Sequence, residues 1–460
     1  MPSSGEEPTR VCHVVAMPFP GRGHINPMMN LCKLVASKRP NEILISFVVT
    51  EEWLAYIGSD PKPDNIRFVS IPNVIPPERE KAADFPRFYE AVMTKMEAPF
   101  EQLLDLLEPP VNTMIGDIEL RWPTAVGNRR KIPVAVLWTM SASFFSMLHH
   151  LDILAGNRSL AGDLLDGPKE QIPGISSAHL ADLRTVLQEN DLRVLQLALE
   201  CISKVSRANY LLLTTVHDLE SEAINHLKAI FPFPVYPIGP AIPYLGLAEN
   251  HSASNDKNTL DHLNWLDSQS AGSVLYISLG SFLSVSSTQM DEIIEALNTS
   301  GVRYFWVARG EAARLNEKCN DRGLVVPWCD QLKVLTHSSV GGFWSHCGWN
   351  STLEAVFAGV PMLTFPLFLD QVPNSTQIVK EWKNGRRVER SESELGKEIL
   401  VTKEEIAVLV GRFMDAESIE VKEMRERARE LKGICHQAIV KGGSSDMNLH
   451  AFIRDISGFQ

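Results

Sequence analysis

Apolar runs alternate with stretches of helical period along most of the chain. The first run, 11–18, leads into a Gly/Pro-rich turn, a helix-like stretch at 28–37 and a second apolar run at 43–49. This order predicts strand, helix, strand. It recurs at 111–116, 122–128 and 133–138, and repeated units of this kind favour a parallel sheet with helices on both faces. Near Pro240 the pattern breaks into a polar, turn-rich stretch without apolar period, so 241–258 reads as a linker between domains at 1–240 and 259–460. Beyond it the alternation restarts: 273–279, 304–308 and 341–345 predict strands and 289–297 a helix. The expected fold is α/β, two doubly wound halves whose cleft is the default ligand site.

Composition narrows the function. The chain has 460 residues, 44% of them hydrophobic and 22% charged, enough to bury a large core. Its net charge is −12, from 44 basic and 56 acidic residues, with no Lys/Arg run, so no nucleic-acid partner is expected. The start, MPSSGEEPTR, lacks the basic and apolar regions of a signal peptide. The longest largely apolar stretch free of charged residues, 132–151, is interrupted by Pro133, Thr139, Ser141, Ser143, Ser146, His149 and His150, so no membrane span is expected. Seven cysteines without a C-x-x-C pair point to a reduced, cytoplasmic setting.

The segment 328–371 is the most informative, reading WCDQLKVLTHSSVGGFWSHCGWNSTLEAVFAGVPMLTFPLFLDQ. A buried strand at 340–345 meets a turn at His346, and a helix starts near Asn350 or Ser351 and stops at Gly359-Val360-Pro361. A helix N-terminus carrying such donors suits a diphosphate. Taken alone, Ser351-Thr-Leu-Glu354 also fits a simple capping box. The flanking Trp328, Gln331, Asp370 and Gln371 favour the ligand-binding reading.

These 44 residues resemble the plant secondary-product glycosyltransferase signature, the UDP-sugar box of family 1 glycosyltransferases. The resemblance implies the GT-B arrangement of two Rossmann-like domains facing a cleft, with the acceptor in the first and UDP-sugar in the second. It leaves open whether the last helix packs back on the first. It implies that Trp328 stacks on uracil, the backbone of Cys329 reads the base edge, and Gln331 and Glu354 hold the ribose. His346, Asn350 and Ser351 would hold the diphosphate, Trp349 would border the sugar, and Asp370 and Gln371 would bind its hydroxyls. Gln371 goes with glucose. Ser281, after the strand Tyr276-Ile-Ser-Leu-Gly280, would approach a phosphate. Asp330 departs from the family's commoner Pro, which bears on loop stiffness more than on these contacts.

In the first half, Gly21-x-Gly23-x-x-Asn26 nearly fits a dinucleotide fingerprint, and His24 falls in the first strand-to-helix loop. The resemblance makes His24 the general base and Asp117 its orienting acid. By residue type alone Asp117 is equally a helix N-cap, and Glu119 is a rival for its role. The expected reaction is inverting transfer of glucose from UDP-glucose to a hydroxyl (or carboxyl) of a small apolar or phenolic metabolite, giving a β-glucoside. No cofactor or metal is expected: Cys329, His337, His346 and Cys347 have the wrong spacing for zinc. The partners expected are a small-molecule acceptor and a nucleotide sugar, bound by a monomer. Two other readings stand beside this one: a nicotinamide-dependent oxidoreductase using the Gly21/Gly23 turn with Glu51, and a non-catalytic UDP-sugar binder. Phe19, Trp138, Phe144, Phe145 and Met147 line the acceptor pocket or belong to the core. Asn350-Ser-Thr and Asn374-Ser-Thr are formal glycosylation sequons, of no consequence without secretion.

Overall fold

The computed structural model describes residues 11–157, 173–189, 191–249, 257–280, 285–389 and 400–458. The chain divides into two units, the first Met1–Ile175, Leu187–Ala241 and Ala438–Gln460, the second Ser176–Val186 and Ile242–Gln437. This differs from the sequence division in two places: 176–186 joins the second unit and 438–460 the first. The stretch 241–258 also holds the helix Leu245–Glu249 and the start of the helix Lys257–Asp267.

Seven parallel strands form the sheet of the first unit: β1 (Cys12–Met17), β2 (Ile43–Thr50), β3 (Ile66–Ile71), β4 (Thr113–Asp117), β5 (Val134–Trp138), β6 (Tyr210–Leu213) and β7 (Val235–Pro237). Their order is β3-β2-β1-β4-β5-β6-β7. Every residue of β1, β4 and β5 is buried. Strands covered on both faces read as continuous apolar runs, which is why the pattern located them. Among the polar exceptions, His13 is satisfied by the Pro109 carbonyl and the Ser46 hydroxyl. Phe452 of the last helix, Ser444–Ser457, packs against Tyr210 and Tyr236, and Asn448 donates to the Pro237 carbonyl at 3.0 Å. Lys38 pairs with Asp446 at 2.5 Å. The last helix thereby covers the β6–β7 side of this sheet.

The second unit has six parallel strands: β8 (Val274–Ser278), β9 (Arg303–Val307), β10 (Gly323–Val326), β11 (Val340–Ser345), β12 (Met362–Thr364) and β13 (Gly385–Arg387), ordered β10-β9-β8-β11-β12-β13. Ile277, Leu297, Tyr304, Trp306, Trp344 and Phe365 lie at the centre of one face's core.

Each order reverses at one place, between β1 and β4 in the first sheet and between β8 and β11 in the second. Neighbouring connections leave in opposite directions there, which opens a crevice beyond the carboxyl ends of the two strands, where doubly wound sheets bind ligands. His24 follows β1 and Asp117 ends β4. Gly280 follows β8, and His346 follows β11.

The helix after β1 spans Arg22–Lys38, six residues longer at its start than its apolar period indicates. The Gly21 carbonyl accepts from the N–H groups of His24 and Ile25, so the turn closes as the helix's first turn. His24 is therefore on a helix, not in the loop. Gly21 takes a φ of 156°, which L side chains rarely adopt, and a Cβ there would also meet the Lys81 ammonium.

Candidate active site

The first cluster forms around His24, whose side chain is 17% exposed. Nδ1 lies 2.9 Å from Asp117 Oδ2, with the Thr139 hydroxyl 3.1 Å from the same nitrogen. An ionised carboxylate only accepts, so Nδ1 carries the hydrogen and Nε2 the lone pair. Asp117 is held in turn: its other oxygen accepts from the Glu119 N–H at 3.1 Å as it caps the short turn Ile118–Leu120. Its capping role and its bond to His24 are thus compatible. Gly116 before it lets Pro123 pack directly on the strand end.

Glu119 does not compete with Asp117. It lies on the other side of the imidazole, Oε2 3.6 Å from Nε2. Burial opposes charge on His24, but Asp117 and Glu119 outweigh it, and the pKa ends above the ordinary 6.5 even with Lys81 acting against them. Burial pushes the Glu119 carboxyl up to about 7, with Asp117 adding to the rise and His24 and Lys81 opposing it. Because His24 and Glu119 lie 3.6 Å apart, the protonation of each depends on that of the other. Lys81 is buried, donates to the Pro20 carbonyl at 2.6 Å, lies 3.6 Å from Glu78, and faces the rings of Phe19 and Phe88. It fastens the Pro18–Gly21 stretch that leads into His24.

The candidates for an acceptor pocket are core: Phe19, Trp138, Phe144, Phe145 and Met147 are each at most 2% exposed. Phe19 alone touches the cluster, its ring 5.1 Å from that of His24.

In the second unit Trp328 is 54% exposed, a wide aromatic face that no packing claims. Cys329 is buried beside it, its Sγ 3.5 Å from the Tyr276 hydroxyl. Asp330 accepts from the Lys333 N–H at 3.2 Å and caps the helix Gln331–Leu335. The departure from Pro thus puts a side-chain cap where a ring would have stiffened the loop.

The polar side chains of the box bind one another. Gln331 donates to Ser351 Oγ at 2.9 Å and to Glu354 Oε2 at 2.5 Å, and Tyr276 donates to Gln331 Oε1 at 3.0 Å. Burial raises the Glu354 pKa to about 7, against the pull of the Gln331 bond. The helix carrying Ser351 begins at Trp349, with Gly348 as its N-cap and no side-chain cap bond. Asn350 and Ser351 therefore stand in its first turn, and the Ser351–Glu354 capping box does not form. Burial lowers the His346 pKa to about 4 despite a bond to the Ser278 backbone, so this ring is neutral at neutral pH. Its Nδ1 and Trp349 Nε1 are buried without partners among the described residues.

Asp370 and Gln371 start the helix Gln371–Thr376. Gln371 Oε1 accepts from the N–H groups of Leu367 and Phe368, so this side chain offers its amide hydrogens. Asn374, fully buried, donates to the Cys347 carbonyl at 2.9 Å and to Asp370 at 2.8 Å. It ties the turn after β11 to the residues closing the box. As sequence, Asn374 stands out only as a sequon. The helical spacing of Asp370 and Asn374 was the available signal for their bond. Ser281 lies outside the described residues.

Residues 192–402 match the family described as UDP-glucoronosyl and UDP-glucosyl transferase. The chain is 48% identical to UDP-glycosyltransferase 87A2 of Arabidopsis thaliana, covering 98% of each protein. It is similar to the structure of Phytolacca americana UGT2 complexed with UDP-2fluoro-glucose and pterostilbene, with TM-score 0.80 and 28% identity over 97% of this chain and 100% of that one. Medicago truncatula UGT71G1 complexed with UDP-glucose gives TM-score 0.77 and 26% identity over 97% and 99%. No described helix is long and apolar enough to cross a membrane.

Proposed function

The chain belongs to the plant family 1 UDP-glycosyltransferases, and from that premise we propose that it transfers glucose from UDP-glucose, with inversion, to a hydroxyl of a small apolar or phenolic metabolite. The observation carrying the proposal is the 2.9 Å bond between His24 Nδ1 and Asp117, which directs the lone pair of Nε2 away from the acid.

An acceptor hydroxyl is a weak nucleophile at neutral pH. As its oxygen attacks the anomeric carbon, its proton passes to Nε2, and Asp117 stabilises the imidazolium that results. The bond from the anomeric carbon to the diphosphate breaks, and UDP leaves with the electron pair. Attack from the face opposite UDP turns an α-linked donor into a β-glucoside. Trp328 stacks on the uracil, the Cys329 backbone meets the base edge, and Gln331 and Glu354 take the ribose hydroxyls. The helix end with Asn350 and Ser351, together with His346, holds the departing diphosphate without a metal. Asp370 and Gln371 take the sugar hydroxyls, with Trp349 beside them.

Glucose as the sugar is supported by the relatives solved with UDP-glucose and its fluoro analogue, and a phenolic acceptor by the pterostilbene bound in one of them. The hydride-transfer reading loses its basis, because the chain belongs to the UDP-glycosyltransferases. A phenol panel with UDP-glucose, read as UDP release and product mass, tests the proposal. UDP release together with a hexoside mass is expected. Binding of UDP-glucose with no release for any acceptor overturns it in favour of a binding protein.

A further inference from the structure

Glu119 is an acid with 12% of its side chain exposed that the transfer reaction does not use. Its Oε2 stands 3.6 Å from His24 Nε2, the nitrogen that takes the acceptor's proton. The short turn Ile118–Leu120, capped by Asp117, directs it there. An acceptor oxygen bonded to Nε2 would have this carboxyl as its immediate neighbour.

The other charges around it are committed. Asp117 bonds the far nitrogen of the ring and the Glu119 N–H. Lys81, the cation facing Glu119, gives its ammonium to the Pro20 carbonyl and lies beside Glu78. An anionic acceptor placed at Nε2 would therefore have the Glu119 carboxyl as its neighbour and Asp117 across the ring, with one buried lysine already engaged. A hydroxyl acceptor with a second donor on the adjoining carbon would meet two acceptors at matching spacing, the imidazole nitrogen and the carboxylate.

We propose that Glu119 is a specificity-determining residue for the acceptor: it binds a second hydroxyl vicinal to the one that is glycosylated, and it excludes carboxylic acids. The proposal rests on the transferase reading above. It narrows the acceptor to vicinal diols and catechols and removes the carboxyl alternative. Burial, which favours the neutral carboxyl, adds that the discrimination against carboxylates strengthens as pH rises and Glu119 ionises.

The test compares catechol, phenol and benzoate as acceptors at pH 8 with UDP-glucose, in wild type and in Glu119→Gln, read as kcat/KM. A hydrogen bond to an ionised group is worth roughly tenfold or more, so wild type should favour catechol over phenol by about that factor and should leave benzoate almost untouched. In Glu119→Gln the catechol-to-phenol ratio should fall severalfold and benzoate should gain relative to phenol. A ratio unchanged by the substitution overturns the proposal while leaving the transferase reading intact. So does wild type that uses benzoate as well as phenol, a comparison that needs no variant to fold. No transfer to these three or to any member of the phenol panel, with UDP-glucose bound, overturns both.

Discussion

His24 Nδ1 and Asp117 Oδ2 are 2.9 Å apart although 93 residues separate them in sequence, because β1 and β4 are neighbours where the strand order reverses. Asp117 and Glu119 raise the His24 pKa against the effect of burial. Since only the neutral ring accepts a proton, a raised pKa keeps the base inactive to higher pH. The kcat/KM for a phenol should therefore climb along a limb whose midpoint lies above 6.5. Asp117→Asn keeps an acceptor for Nδ1–H but removes the charge, so the limb should move to lower pH while the plateau drops at least about tenfold. An unmoved limb in that variant contradicts the electrostatic role of Asp117.

Trp328 separates binding from folding. With more than half its surface exposed, its loss should leave thermal stability within about 0.5 kcal/mol of wild type. Removing a stacking face costs about 1–3 kcal/mol per base, so Trp328→Ala should weaken UDP binding roughly five- to 150-fold by calorimetry. Unchanged affinity contradicts the uracil assignment.

Much of this architecture was legible because parallel strands buried on both faces are written as apolar runs: 43–49 and 340–345 fall on β2 and β11 nearly residue for residue. β13, Gly385–Arg387, was not, since a three-residue edge strand of Gly-Arg-Arg carries no apolar signal. The start of the first helix was hidden by its Pro and Gly content, which resembles a turn until the Gly21 carbonyl is seen to accept two helical N–H groups. The box residues were recognisable one by one, but their mutual bonds were not. Ser351 looked like a cap because the helix start was misplaced by one or two residues, and that shift turns its hydroxyl toward Gln331. Glu119 looked like a substitute for Asp117, because only the turn Ile118–Leu120 brings it to the opposite nitrogen.

Asn374 should matter for both stability and turnover. Asn374→Ala leaves the buried Cys347 carbonyl without its side-chain donor and removes one hydrogen bond to Asp370, at about 1–3 kcal/mol in denaturant unfolding. Glucose transfer should fall more than UDP affinity, because Asp370 is assigned to the sugar and not to the nucleotide. Equal losses in both contradict that assignment.

Donor choice rests on Gln371, whose oxygen is committed to the loop at 367–368. Gln371→Glu keeps that acceptor and removes the amide donors, so kcat/KM for UDP-glucose should fall about ten- to a hundredfold with little change in UDP binding. Wild type should prefer UDP-glucose to UDP-galactose, whose axial hydroxyl leaves a buried group unpaired. Equal kcat/KM for the two donors contradicts this.

The general-base claim is tested most directly by His24→Ala, assayed for glucose transfer to a phenol alongside UDP affinity by calorimetry. Removing a general base costs about 10²–10⁴ in rate, so kcat should fall at least about a hundredfold. UDP dissociation should stay within a few-fold of wild type, because His24 lies outside the nucleotide box. A variant that keeps most of its turnover on an acceptor of ordinary pKa, with UDP binding intact, contradicts the assignment of His24 as the base.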